Sequence, residues 1–257
     1  MLDNIDSYIG GATLILVVVS LSIITLIIIR RRLKATSNDQ HEVGGHYFAA
    51  IGTLYAVILG LVVVDSSSKF NEARIKTINE VDALAEVYAL AETMPSKKSK
   101  PIKVAISKYV DHAASEGWNN LQSGKYDPIE ESAFDEIIIA ARSVEPVTEN
   151  QKALFPIMIT SVINASENRQ ARINAEQYEL PDIEWFSLVT GGIATIGFTF
   201  FFAIESLFAQ AIMTGVVAFV LSLNLYIAFL YDTPFNGALQ VKNTPFINLH
   251  EYIKSHP

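Results

Sequence analysis

Residues 55–70 read YAVILGLVVVDSSSKF, ten apolar residues followed by Asp65, three serines and a lysine. The apolar part belongs to an uncharged run, 47–64, that is long enough as a helix to cross the roughly 30 Å hydrocarbon core of a bilayer. Asp65 either caps a new helix or lies inside a helix that continues into water. No Glu or Gln stands three residues after any of the serines, and no Gly or Pro interrupts 61–94. The sequence therefore predicts one unbroken helix.

Three further uncharged apolar runs occupy 9–29, 185–204 and 207–231. Each has about 18 residues or more, the length expected of a transmembrane helix. The chain of 257 residues is 50% hydrophobic and contains no cysteine, which excludes disulfides, thiolate metal ligands and a cysteine nucleophile. The sequence predicts an all-α integral membrane protein with four transmembrane helices.

A polar and acidic segment separates the second span from the third, and its apolar residues recur at helical spacing. Asp127-Pro128 is typical of a helix start, and Thr148 and Gln151 have the spacing of a capping box. We expect an extramembrane helical bundle that is continuous with both spans. The predicted organisation is two spans with a short basic loop over 1–64, the bundle over 65–184, two spans over 185–231, and a C-terminal tail over 232–257.

The net charge of −8 resides mostly in the bundle segment and argues against nucleic acid as a partner, because a phosphate-binding face is basic. Basic residues at 30–34 directly follow the first span. The positive-inside rule then places the N-terminus and the bundle outside, in an integral membrane protein. Lys69, Arg74 and Lys76 follow the second span and favour the opposite orientation. The outward orientation is the one we expect.

The opening stretch also supplies candidates for a pore. Copies of its helix around an axis would form a hydrophobic constriction with a charged, hydroxyl-rich mouth. An aspartate ring at that mouth favours cations. The constriction candidates are Val57, Leu61 and Val64, and the mouth candidates are Asp65, Ser66, Ser67 and Ser68.

Small residues at helical spacing mark two faces where helices can approach closely. They are Gly52, Ala56 and Gly60 in the second span, and Ala211 and Gly215 in the last. Packing within one subunit and contact between subunits both remain open for them. Among polar residues in the spans, Asn224 lies deepest and is the one expected to have a role beyond bonding to its own helix.

The sequence lacks the signatures of an enzyme. HEVGGH, 41–46, has histidines five residues apart, whereas a zinc-binding helix needs them four apart. Gly44-Gly45 is also expected to break the helix between them. No nucleophile lies in a pattern with a base, so we expect no catalysis, no cofactor and no bound metal.

Seven ordered stretches resemble the bacterial bestrophin-like membrane family, over about residues 44–246. They are GTLYAVILG, KFNEA, NEVDALAEVYALAE, YVDHAASEGWNNLQSG, NRQARI, LPDIEW and DTPFNG. The positions that carry the family pattern are Tyr55, Phe70, Glu80, Tyr88, Glu116, Trp118, Arg169, Arg172, Trp185, Asp232, Pro234, Phe235 and Gly237.

The resemblance implies kinship with bestrophins, which are pentameric ion channels whose second membrane helix lines the pore. It thus implies a homo-oligomer in the bacterial inner membrane that conducts inorganic ions. Bestrophins bind calcium through acidic residues after a Pro-Phe-Gly turn. Here 234–237 leads into Ala238-Leu239-Gln240, so the calcium site is not carried over. The alternative is a non-conducting, membrane-anchored interaction or stress-sensing protein that works through its helical bundle.

The cysteine-free chain allows a direct test of orientation. A Ser123→Cys variant places a single thiol in the bundle, and a membrane-impermeant maleimide should label it in intact cells. Labelling that appears only after the cells are permeabilised would contradict the outward orientation.

Overall fold

The structure, a computed structural model, describes residues 7–32, 39–201 and 206–256, with the backbone alone over 39–43. Every regular element in these ranges is a helix, which confirms the all-α prediction. The helices are α1 Tyr8–Arg32, α2 Asp39–Ala91, α3 Ser96–Ala114, α4 Glu116–Gln122, α5 Pro128–Arg142, α6 Glu149–Glu176, α7 Asp182–Thr199, α8 Leu207–Asp232 and α9 Thr244–Ser255.

The second helix dominates the fold. α2 is a single helix of 53 residues and passes through Asp65 and the three serines without a break, as predicted. It also begins at Asp39 and includes Gly44 and Gly45, so the expectation that these glycines end a helix is wrong. A helical glycine costs only about 1 kcal/mol relative to alanine, and the long apolar run that follows tolerates this cost.

Within the described residues, three helices are long and apolar enough to cross a membrane: α1, the part of α2 from Gly44 onward, and α8. The remaining predicted span, 185–204, falls on α7. This helix has 18 residues, but it is not apolar enough to meet the same criterion. Its last residues, 202–204, lie outside the described ranges. The chain is a membrane protein, and the count of four spans stays a prediction.

The helices divide into two compact units, of which the first holds residues up to 68, 179–233 and 237–239. Within it, α8 packs against α1 and α7. Gly215 makes the first contact close: a Cβ there would lie 3.3 Å from Ile23 and 3.8 Å from Val19. Gly215 therefore serves packing within one chain.

Hydrogen bonds join α7 to α8 in the same unit. The hydroxyls of Thr199 and Thr214 lie 3.1 Å apart, and Gln210 donates from Nε2 to the Thr199 carbonyl at 3.3 Å. Asn224, expected to stand out, donates to the carbonyl of Val220 one turn earlier in its own helix. The buried Gln210, rather than Asn224, makes a polar contact to α7, because it lies on the face of α8 that meets α7.

The second unit holds residues 69–178, 234–236 and 240–257. It contains the end of α2 and all of α3 to α6, with α3 packed against α5 and α9. α6 begins at the predicted capping box, in which Thr148 and Gln151 each bond to the other's backbone N–H. α9 lies in the segment predicted to be a tail. Its buried residues, Phe246, Leu249 and Ile253, have the spacing of an apolar helix face, which explains why the segment folds onto the unit.

Asp127 caps α5 and also contacts α3. Its Oδ1 accepts from the backbone N–H of Ile129 and Glu130, both at 3.0 Å, and its Oδ2 lies 2.7 Å from His112 Nε2. Burial on its own would raise the pKa of the Asp127 carboxyl, but hydrogen bonds from Asn120, the Glu130 N–H and His112 outweigh it and lower the pKa to about 2.

An Asp127→Ala variant should lower the free energy of unfolding by about 1–2 kcal/mol, the cost of removing an N-cap. Because the folded-state pKa is depressed from 3.8 to about 2, this stabilisation is present above pH 4 and is lost as the pH falls towards 2. Denaturant unfolding in detergent at several pH values measures both effects. Asp135→Ala, on an exposed position of the same helix, is the matched control. Equal losses in the two variants would contradict the assignment.

Candidate functional site

One face of α2 is open along the apolar run. Val57, Leu61 and Val64 are 56%, 66% and 64% exposed in the single chain, and their spacing places them on one stripe of the helix. The opposite side forms a narrow buried seam in which Tyr55 and Leu59 pack on Leu188 of α7. The predicted constriction residues therefore share a surface that the described part of the chain leaves uncovered.

The predicted mouth residues do not all share that surface. Ser66 is only 2% exposed and lies on the buried seam, whereas Asp65 and Ser68 are exposed and Ser67 is intermediate. Consecutive residues on a helix point about 100° apart, so four in a row cannot line one face. Ser66 is thus withdrawn from the candidate mouth. Ser68, four residues after Val64, continues the open stripe.

The small residues of α2 also face outward. At Gly52 and Gly60, no other described part of the chain lies within 4 Å of where a Cβ would stand. Ala56 between them is exposed. Unlike Gly215 in α8, these positions are not used for packing among the described helices of this chain.

Tyr55 anchors the seam through a close approach to α7. Its hydroxyl donates to the Leu188 carbonyl at 2.7 Å. A Cβ at Gly191 would lie 2.6 Å from the Tyr55 ring, and one at Gly192 would lie 3.0 Å from its hydroxyl oxygen. The two glycines are what allow the ring to lie against the α7 backbone.

Asp232 closes α8 by bonding to the start of α7. Its Oδ1 accepts from the Leu180 N–H at 2.7 Å, and its Oδ2 accepts from the Trp185 indole at 3.0 Å. Leu180 is the residue before Pro181, where the chain enters α7. The family-pattern positions Trp185 and Asp232 are therefore direct partners.

The second unit encloses a network of buried charges. Arg172 of α6 donates from Nε to Glu80 Oε2 at 2.7 Å and from Nη2 to Glu130 Oε1 at 2.7 Å. Tyr109 of α3 donates its hydroxyl to Glu80. Arg172, Glu80 and Tyr109 are almost fully buried, and Glu130 is 3% exposed. Four helices each contribute one polar group to this network.

Aromatic rings and a second arginine surround the network. The guanidinium carbon of Arg172 lies 5.3 Å from the centre of the Phe246 ring and 5.9 Å from that of Trp118. Arg169, one turn earlier on α6, reaches Glu130 at 3.4 Å and lies over the Phe134 ring. The rings exclude water, and the second cation helps to neutralise the pair of carboxylates.

The two carboxylates raise the pKa values of the arginine and the tyrosine that they contact. Burial alone would lower the pKa of Arg172, but Glu80 and Glu130 outweigh it and raise that pKa well above its ordinary value. Burial, together with the same two carboxylates, also raises the pKa of Tyr109 well above its ordinary value. Arg172 therefore stays charged. The Tyr109 hydroxyl stays protonated and donates a hydrogen bond to Glu80.

Sequence reasoning found only part of this network. Glu80, Arg169 and Arg172 are among the positions that carry the family pattern, whereas Glu130 and Tyr109 are not among the predicted site residues. The signal was present: Glu130 lies four residues before Phe134 and seven before Ile137, on the buried stripe of α5. A charged residue on an apolar stripe indicates a buried partner.

The turn after α8 contributes a further aromatic contact. Phe235 is 1% exposed, and its ring centre lies 5.6 Å from that of Trp118. Its carbonyl accepts from Gln122 Nε2 at 2.9 Å. Gly237 has a φ of 80°, a left-handed conformation that suits glycine. The Pro-Phe-Asn-Gly sequence is thus a structural turn with a buried side chain.

A family model described as the Bestrophin-like domain matches residues 15–246. The chain belongs to the Bestrophin-like family. The resemblance drawn from the seven stretches is thereby confirmed. No curated protein matches the chain.

Crystal structures of bestrophin homologues share the fold. A variant of a bacterial bestrophin homologue from Klebsiella pneumoniae aligns with a TM-score of 0.69 over 94% of this chain and 98% of its own, at 14% identity. Another variant of a bestrophin homologue from that organism has a TM-score of 0.70, with the same coverage and 13% identity. A structure described as a membrane protein aligns with a TM-score of 0.70 over 94% of this chain and 97% of its own, at 14% identity.

The remaining family positions lie apart from the buried network. Tyr88 is buried and donates its hydroxyl to the His256 carbonyl at 2.7 Å, while Phe70 is buried at 8% exposure. Glu116 is exposed in the first turn of α4. The Bestrophin-like pattern in this chain therefore marks mostly buried structural contacts.

An Arg172→Gln variant should lower the free energy of unfolding by about 3–5 kcal/mol, because it leaves the buried Glu80 without a cation and Glu130 with Arg169 alone. Thermal or denaturant unfolding of the purified protein measures the loss. Arg142→Gln removes an exposed arginine from α5 and should change stability by less than about 0.5 kcal/mol. Similar unfolding of Arg172→Gln and wild type would contradict the role of the network.

Proposed function

We propose that this Bestrophin-like protein is a homo-oligomeric ion channel whose pore is lined by α2, both by its apolar part and by the residues that follow Val64. The observation that carries the proposal is the open stripe formed by Val57, Leu61, Val64 and Ser68 on an unbroken helix. A single chain cannot enclose a pore with one such stripe. Several copies arranged around an axis can.

The exposed surface of α2 also supports an assembly of several copies. Gly52, Ala56 and Gly60 offer a smooth surface beside the open stripe, where the helix of a second copy can approach closely. Membership of the Bestrophin-like family supports a channel of this kind, and from the resemblance to bestrophins, which are pentamers, we propose five subunits. The protein would then span the bacterial inner membrane with four helices per subunit, its N-terminus and helical bundle outside.

Rings of Val57, Leu61 and Val64 would form the narrowest part of such a pore. Apolar rings gate by dewetting: when the pore is narrow, the cost of hydrating it excludes water and ions. Asp65 and Ser68 follow within about one turn and would supply oxygen ligands at the mouth. A ring of aspartates attracts cations, and the net charge of −8 adds to that attraction. The channel is therefore proposed to favour cations.

Ion flux into liposomes tests the proposal. Purified wild-type protein should conduct monovalent cations, and Asp65→Asn should reduce the ratio of cation to anion flux by about twofold or more, because the ring charge is removed. Asp135→Asn carries the same charge change outside α2 and should leave the ratio unchanged.

Oligomeric state separates this function from its alternative. A wild-type protein that is a stable monomer in detergent and carries no flux would contradict the channel. It would favour a non-conducting protein that works through its helical bundle. An oligomer in which Asp65→Asn and wild type have the same selectivity would contradict the placement of the mouth.

A further inference from the structure

A cavity of about 330 Å³ lies in the second unit, between α4 and the turn that follows it, the start of α5, and the end of α6. Its size is close to the lower end for small-ligand sites in proteins. All of its lining residues fall within 117–177, so the cavity belongs to this unit alone. It borders the buried charge network through Glu130 and Arg169, but the space itself is used neither by that network nor by the proposed pore.

Arg169 lines this cavity as a buried arginine that lacks a hydrogen-bond acceptor. It is 7% exposed, and its Nε has no hydrogen-bond partner in the described part of the chain. Its Nε lies 3.4 Å from Glu130 Oε1 and its Nη2 lies 3.7 Å from Glu131 Oε2, both longer than the roughly 2.7–3.2 Å of an N–H···O bond. A guanidinium carries five N–H donors, and a buried donor without an acceptor is costly. The cavity therefore offers donors to a group such as a carboxylate.

Carboxylates nevertheless outnumber cations around the cavity. The acidic residues that line it are Asp127, Glu130, Glu131 and Glu176, and the basic ones are Arg169 and Lys125. The contacts of Glu130 to Tyr109, Arg169 and Arg172 all go to Oε1. Its Oε2 lies on the side of Gly117, where a Cβ would come within 2.7 Å of it. The lining therefore also offers acceptors to a positively charged group.

Neither a simple anion nor a simple cation satisfies both parts of this lining. An anion would pair with Arg169 but would be repelled by Glu130 and Glu131, whereas a cation would pair with the glutamates and leave the arginine without an acceptor. A ligand that carries both charges close together satisfies both parts. Leu121 and Ile173 complete the lining with aliphatic surface, which suits an apolar side chain.

We propose that this cavity binds a free α-amino acid with an aliphatic side chain. The carboxylate of the amino acid accepts hydrogen bonds from Arg169, and its ammonium group donates to Glu130 Oε2 and to Glu131. Its side chain packs on Leu121 and Ile173. The two charged groups of an α-amino acid stand on one carbon, which matches the adjacent arginine and glutamates. This site does not depend on whether the protein conducts ions.

Isothermal titration calorimetry of the purified full chain tests the proposal with L-leucine and its two half-charged analogues. 4-Methylpentanoate lacks the ammonium group of leucine, and 3-methylbutylamine lacks its carboxylate. Each analogue should bind at least about tenfold more weakly than leucine, because it leaves a charged group of the cavity without its partner. An analogue that binds as tightly as leucine would show a simple anion or cation site and would overturn the proposal. So would the absence of leucine binding at millimolar concentrations.

A charge-neutral variant assigns the ammonium group to its place. Glu131 is exposed at the edge of the cavity, so Glu131→Gln should fold as the wild type does. It should raise the Kd for leucine about fivefold or more and should not weaken the binding of 4-methylpentanoate, which has no ammonium group. Asp135→Asn makes the same charge change at an exposed position of α5 and should bind leucine as the wild type does. Equal leucine affinities of the two variants would contradict the placement of the ammonium group.

A variant that fills the cavity tests its location without changing any charge. Ile173 is half-buried, and Ile173→Phe adds volume where the aliphatic side chain of the ligand is proposed to pack. Leucine binding should fall at least about tenfold, because the space it needs is occupied. Thermal unfolding of the variant checks that it is folded. A folded Ile173→Phe protein that binds leucine as the wild type does would overturn the assignment to this cavity.

Discussion

The ion pairs that Arg172 makes with Glu80 and Glu130 are the constraint on which the second unit depends. Burying a charge costs several kcal/mol unless partners of opposite sign and hydrogen bonds are already in place. The partners come from α2, α5 and α6, and Tyr109 of α3 completes the hydrogen bonds around Glu80. None of α2, α5 and α6 can rotate or slide alone without breaking an ion pair, and a movement of α3 would remove a hydrogen bond from Glu80. An apolar contact, which has no direction, does not impose that register.

The first unit, which contains the apolar helices, is held together by different interactions. Between apolar helices there is no hydrophobic incentive to associate, so contact rests on close packing and on hydrogen bonds. Gly215 lets α8 approach α1, and Tyr55 donates to a backbone carbonyl of α7. Among the described residues, α2 takes part in this packing through the seam of Tyr55 and Leu59. Its remaining surface is what makes an assembly of several copies physically reasonable.

Local signals in the sequence predicted what depends on local interactions. The continuity of α2 through Asp65 followed from the lack of Gly or Pro, and the start of α6 followed from the capping pair Thr148 and Gln151. Features that depend on a distant partner were not predicted. Ser66 lies on the buried seam because α2 has only one face against the chain. Glu130 is buried because a distant arginine meets it, and no spacing within α5 identifies that partner.

The contact between Tyr55 and the glycines of α7 makes substitutions at these three positions depend on one another. A side chain at 191 collides with the aromatic ring, and one at 192 comes within 3.0 Å of its hydroxyl oxygen, so a chain that keeps the tyrosine favours glycine at both positions. A descendant that acquires alanine at 191 must first shrink the residue at 55, and it then loses the hydroxyl that reaches Leu188. Substitution histories at these sites are therefore expected to be correlated, and to record the packing of two helices rather than the recognition of any ion.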